Sequence, residues 1–225
     1  MCLMKSRFLH LAVIGLVTIA NSQHLAAAIL DQHWSDPYLQ PGTGYGFTES
    51  WGAVAQTFTP SVTGTLSLIE IHAARQNISS YPADWFIVSV WSVSSGYPLT
   101  PLASVQIPHD SIPPGRHAEW ISADFRPSEV RVNANEPLAI VVSSIGDAYY
   151  TWTATGNFPW LHTTIPEYEH GTTLFRPTGA PNWEPLFYPT DQLFREFVEP
   201  IPEPSALSLC VLGLALFAAR RRRNT

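Results

Sequence analysis

The chain is almost without lysine: among its 225 residues only Lys5 carries that side chain. Nucleic acid and anionic lipid are therefore poor partners for its body, because holding them depends on neutralising phosphates with Lys and Arg. Cysteine is equally scarce. Cys2 and Cys210 stand near the two ends, so the intervening chain must fold without disulfides and offers no thiol nucleophile. No stretch between them carries a sustained apolar stripe of helical period. A G-x-S-x-G elbow, an H-E-x-x-H pair, a Walker loop and a dinucleotide-type glycine fingerprint are missing too, which removes the common hydrolase, metalloprotease and nucleotide-binding signatures.

What is present is acid, aromatic and proline. Residues 29–203 hold eighteen acids against six arginines, a net charge of −12. That balance is compatible with neutral or cationic polysaccharide and with divalent cations, without choosing among them. The period of the pattern is two. Segments 54–59, 65–71, 85–93, 102–107, 119–125, 139–143, 149–155, 172–175 and 192–198 are short, rich in β-branched and aromatic residues, and separated by Pro, Gly, Ser or Asn. Nine such strands predict an all-β fold, an antiparallel two-sheet β-sandwich of jelly-roll-like type. In 65–71, Leu66, Leu68 and Glu70 are expected on one face and Ser67, Ile69 and Ile71 on the other. A lead-in strand is expected around 31–38, and the prolines of 199–204 are expected to form a semi-rigid linker.

The two ends read differently from the body. Lys5 and Arg7, the apolar run 8–20 and Ala26-Ala27-Ala28 predict a secretory signal peptide over 1–28, cut after Ala28. At the other end, Ile201-Pro202-Glu203-Pro204-Ser205 is followed by an uncharged run of 14 residues, 206–219, and then by Arg220, Arg221, Arg222 and Arg223. Prolines on both sides of Glu203 keep that segment extended and open to recognition. The apolar run predicts a short transmembrane helix, and the arginines fix its end on the cytoplasmic side. Fourteen residues fall short of the ~20 that cross a bilayer core, a difference that snorkelling arginines reduce.

This order of motif, apolar helix and basic end closely resembles the PEP-CTERM sorting signal of Gram-negative bacteria. Ile201 departs from it, standing where the family most often has Val. The resemblance implies a chain exported across the inner membrane and held there by 200–225. Exosortase, an integral-membrane enzyme, would then process it for the cell surface or extracellular matrix. A looser resemblance covers the body. Gln56-Thr57-Phe58-Thr59-Pro60 with Gly64-Thr65-Leu66, Val88-Ser89-Val90-Trp91 with Gly96-Tyr97-Pro98, 132–141, and Leu193-Phe194-Arg195 look like the bacterial surface sandwiches called choice-of-anchor domains. It implies a sandwich over 29–199, and sandwiches host many functions.

Ligand chemistry, if any, is expected from the eight tryptophans, because exported sandwiches bind sugars by stacking their C–H faces on exposed rings. Trp85, Trp91 and Trp120 lie within apolar strands and read as core. Trp160 and Trp183 follow loop sequences and are the expected polysaccharide platform, with Tyr149, Tyr150 and Trp152 extending it and Asn157 and Asn182 as polar partners. His162, Glu167, Glu169 and His170 form the densest titratable cluster, but their spacing matches no ligand motif, and neither a metal site nor a cofactor is read from the sequence. The reading is thus a non-enzymatic surface or matrix protein. A secreted hydrolase with dispersed carboxylates and a purely structural coat protein are the alternatives.

Overall fold

The computed structural model describes residues 27–34, 44–47, 52–75, 85–115, 118–146, 149–156, 168–186 and 190–201. The expected sorting tail, Trp160, Asn157, His162 and Glu167 lie outside these residues, as does the expected signal peptide apart from its last two alanines. Among the described residues no helix is long and apolar enough to cross a membrane.

Fourteen strands follow one another: β1 (Ile29–Trp34), β2 (Gly44–Phe47), β3 (Ala53–Phe58), β4 (Gly64–Arg75), β5 (Trp85–Ser94), β6 (Tyr97–Pro108), β7 (Glu119–Asp124), β8 (Arg131–Val132), β9 (Leu138–Ile145), β10 (Tyr150–Gly156), β11 (Thr173–Arg176), β12 (Glu184–Pro185), β13 (Thr190–Gln192) and β14 (Phe194–Pro200). Their ladders form two antiparallel sheets. The six-stranded sheet has the order β12-β11-β3-β9-β5-β6. In the eight-stranded sheet the order is β1-β14-β4-β10-β13, with β2 on β10 and with β7 and β8 on the free side of β4. All nine strands read from the sequence are present, four of them longer than read. The expected linker is shorter than read, because Glu199 and Pro200 pair with Thr65 and Gly64 inside β14.

The core is built from the inner faces of both sheets. Val54, Phe58, Phe86, Val88, Ile140 and Val142 come from one, and Ile69, Ile71, Ile121, Tyr150, Trp152 and Phe194 from the other. Parity assigns the remaining side chains. In β9, Leu138, Ile140 and Val142 enter this core, while Ala139 and Val141 join a smaller cluster on the opposite face with Ala53, Ala55, Leu174 and Trp183. β4 breaks the expected alternation. Its register against β14 slips, with Phe197 opposite Leu68 and Val198 opposite Leu66, so a β-bulge at Ser67 turns Leu66, Ile69 and Ile71 all inward. Leu68 and Glu70 are left on the other face. The outer edge of β6 is blunted by Pro98, Pro101 and Pro108, which offer no N–H to a further strand.

One polar side chain joins the sheets. Gln56 points into the interior with Val54 and Phe58 and is 0% exposed. Its Oε1 accepts from Thr173 Oγ1 of β11 at 2.7 Å and from the Gln192 backbone N–H of β13 at 2.8 Å. Its Nε2 donates to Asp191 Oδ1 at 3.1 Å, and the other oxygen of Asp191 accepts the Tyr168 backbone N–H at 2.7 Å. Within the eight-stranded sheet, Trp152 of β10 donates from Nε1 to the Leu193 carbonyl at 2.8 Å, where β13 passes into β14.

Gln56→Leu keeps the volume but strips partners from Thr173, Asp191 and Gln192. At about 1–3 kcal/mol for each buried group so orphaned, a loss on the order of 3 kcal/mol or more is expected in urea unfolding. A loss under about 1 kcal/mol, the size of an ordinary surface substitution, counts against the clasp.

Candidate functional site

The expected aromatic platform does not assemble. Tyr150 and Trp152 are 0% exposed in the inter-sheet core, and the Tyr150 hydroxyl is hydrogen-bonded to His109 Nδ1 at 2.9 Å. Trp183 is 8% exposed and packs on the outer face of the six-stranded sheet, while Asn182 beside it is exposed. Conversely, Trp85 is 37% exposed, and Trp91 and Trp120 are half-buried on outer faces. The cause is register. Trp152 shares the inward parity of Tyr150, whereas Trp91 shares the outward parity of Ser89 and pairs with Ala139, whose side chain also faces outward. Glu169 and His170 are exposed in a turn, and no group of three metal-ligating side chains exists among the described residues.

Each sheet instead carries an arginine laid on tryptophan on its outer face. On the eight-stranded sheet the Arg195 guanidinium sits 3.9 Å from the Trp120 ring centre, and the ring also meets His72 edge-on. Here the charge is answered: Arg195 Nη1 donates to Glu70 Oε2 at 3.2 Å, and Ser122 donates to the other oxygen of Glu70. Burial, and then the positive charge of Arg195, holds His72 below the usual imidazole range, so it stays neutral at neutral pH and shares a 3.0 Å hydrogen bond with Thr153.

On the six-stranded sheet the Arg176 guanidinium lies 4.6 Å from the Trp183 ring centre and 5.3 Å from that of Trp91, and the two indoles meet edge to face at 6.2 Å. Arg176 has no carboxylate within ion-pair distance among the described residues. It lines an open pocket of about 390 Å³ at one end of the sheet, together with Ala53, Ser143 and Ser144 and the turn that follows β11. That turn is closed by Ala180 N–H to the Pro177 carbonyl at 3.0 Å, with Gly179 at φ +77° as a type II geometry requires. Gly52 lets the strands approach, since a Cβ there would stand 2.0 Å from the Arg176 carbonyl oxygen. Two polar groups in this part of the sheet are buried without a partner: Nε1 of Trp91, and Ser144 Oγ, which has the inward parity of Ile140 and Val142 and stands opposite the core residue Phe86. The sequence holds a faint signal for this site, an arginine between a strand and a P-T-G turn in an acidic body.

Among the described carboxylates Glu196 stands apart, because it occupies an inward position of β14 between Phe194 and Val198 and is 0% exposed. Neither of its oxygens has a hydrogen-bond partner. Burial pushes its carboxyl up to about 8, and the nearby Asp31 on β1 adds to the rise. Asp31 itself is engaged at the connection between β3 and β4, accepting from the backbone N–H of Ser61 at 2.9 Å and from the Ser61 hydroxyl. Tyr168, whose hydroxyl donates to Gln32 Oε1 at 2.8 Å, packs on Phe194 nearby, and burial pushes its phenol up.

Glu196 therefore keeps its proton in the folded state over a range where the unfolded chain has lost it. Stability is expected to fall as pH rises from about 4.5 to about 8, by ~1.4 kcal/mol per unit at most, and to level off above that range. In Glu196→Gln this slope should be absent in denaturant titrations at pH 5, 7 and 9, and the variant should be the more stable at pH 9. An unchanged slope would show that Glu196 is not its source.

No protein-family model matches the chain, and none of the curated proteins does. Among solved structures it is similar to the VP2 subviral particle of infectious bursal disease virus, at 12% sequence identity and a TM-score of 0.20. The match covers 90% of this chain and 57% of that chain. At that score the likeness carries no argument about fold or function.

Proposed function

We propose that the protein is a non-enzymatic surface or matrix component, exported by its signal peptide, sorted through a PEP-CTERM-like tail by exosortase, and binding extracellular polysaccharide through its sandwich. The observation that carries this reading is the chain order after the last strand. β14 ends at Pro200, Ile201 is 41% exposed, and Pro202-Glu203-Pro204-Ser205 follows at once, with the apolar run and the four arginines behind it. The motif thus begins one residue beyond the sheet.

The body fits such cargo. It is a sandwich whose outer faces carry Arg–Trp clusters flanked by serine, threonine and histidine, side chains that suit sugar hydroxyls and ring faces. The placement of β9 between β3 and β5, far from both in sequence, supports a jelly-roll-like connectivity. The inner membrane is a transient partner and nucleic acid is not one, given the net charge of −12 over residues 29–203.

Mass spectrometry of the protein made in a host with an active exosortase should show a species beginning near Ile29 and lacking the residues that follow the Pro-Glu-Pro motif. In a host without the enzyme the tail should remain. An intact tail in both hosts refutes the sorting reading.

A further inference from the structure

Both outer faces present an arginine on tryptophan, yet only one of the two charges is answered. Arg195 has Glu70; Arg176 has no carboxylate among the described residues, in a chain where acids outnumber arginines three to one over 29–203. With acid so plentiful, an unpaired guanidinium on a pocket wall is conspicuous. Its position is also fixed in advance. Two indole rings set nearly at right angles confine the guanidinium, 4.6 Å from the Trp183 ring centre and 5.3 Å from that of Trp91, and the pairing of Arg176 with Ala53 holds its backbone, so little freedom remains to be lost when a ligand arrives. The edge of the guanidinium, with its fork of N–H donors, is the part that stacking leaves free, and a fork of that shape matches a planar carboxylate. Ser143, which shares the outward parity of Ala139 and Val141, stands on the same wall and supplies a hydroxyl for a ligand oxygen.

From this geometry we infer that the pocket lined by Arg176, Ser143 and Ser144 binds the carboxylate of an acidic sugar. The inference rests on the polysaccharide reading and adds its substrate class. The charge of the body narrows it further. A net charge of −12 repels a densely charged polyanion at long range, whereas a single carboxylate in contact with Arg176 lies well inside the ~8 Å over which salt screens the rest. The fitting occupant is therefore an isolated uronic acid residue in an otherwise neutral polymer. Pocket volume agrees, since about 390 Å³ is of the size that takes one sugar ring.

The test is titration of the exported domain with methyl glucuronide and with methyl glucoside, read by calorimetry and by tryptophan fluorescence. Glucuronide should bind at least about tenfold more tightly than glucoside, because the neutral sugar leaves the Arg176 charge unanswered. Arg176→Gln should lose that preference, Arg176→Lys should recover only part of it, and Arg131→Gln, an exposed arginine elsewhere, should keep it whole. Melting curves establish that each variant is folded. Should Arg176→Gln not fold, Arg176→Lys decides, since a folded Arg176→Lys that keeps the full preference for glucuronide overturns the assignment. Equal affinity for the two sugars, a preference that survives in folded Arg176→Gln, or displacement of glucuronide by equimolar inorganic sulfate or phosphate overturns the assignment. Retardation of the protein by neutral polymers in affinity gels without any glucuronide effect sinks the pocket alone. Failure to be retarded by any polymer, neutral or acidic, sinks the polysaccharide reading with it.

Discussion

The buried amide of Gln56 is the contact on which the architecture turns. A sandwich without disulfides holds its sheets together by apolar burial, which is strong but tolerant of sliding, because dispersion and hydration have little directionality. Gln56 supplies direction. It locks β3 to β11 through Thr173 and both to β13 through Gln192 and Asp191, so the two sheets meet in one relative position along that edge. The rest follows from there. With β11 registered on β3, Arg176 is set opposite Ala53 at the sheet end, and with β13 fixed, Leu193 enters β14 in the phase that turns Phe194, Glu196 and Val198 inward.

Much of this was legible in the sequence, and the failures have a common cause. The nine strands were found because alternation and turn residues are local signals. Which face of a strand meets the other sheet is not local. Trp152, between Thr151 and Thr153, reads as a surface ring and Trp91, after Val90, as a core ring, and only the ladder tells the inward parity from the outward one. The bulge at Ser67 is a further case, since a single extra residue reverses the faces on either side of it without any mark in composition. Short pieces such as β8 and β12, of two residues each, exist only through their partners. Glu196 shows the limit most clearly: no rule of patterning places a carboxyl among Phe194, Val198 and Tyr168, yet the register demands it.

Charge is distributed with the same economy. Acids dominate the surface, and the arginines that stack on tryptophan, Arg176 and Arg195, lie on the two sheets' outer faces and not in the core. Stacking hides the flat face of a guanidinium while leaving its donors at the rim, so an aromatic ring can position a cation without consuming its hydrogen bonds. That makes Glu70 at one cluster and its lack at the other a chemical difference between two otherwise similar surfaces. The Arg195 charge is paired with Glu70, and the Arg176 charge has no carboxylate beside it among the described residues.

The pairing of Ile29 with Val198 brings the first residue of β1 and the last residues of β14 to the same end of one sheet. Both points where this domain is joined to other sequence therefore lie at a single pole. β14 is flanked by β1 on one side and β4 on the other, so tension applied at Pro200 runs parallel to the strand and loads two ladders at once in shear. Hydrogen bonds loaded that way share the force and break together, whereas a hairpin peeled from its tip gives way one rung at a time. A domain tethered by such a strand is mechanically suited to being held by its tail.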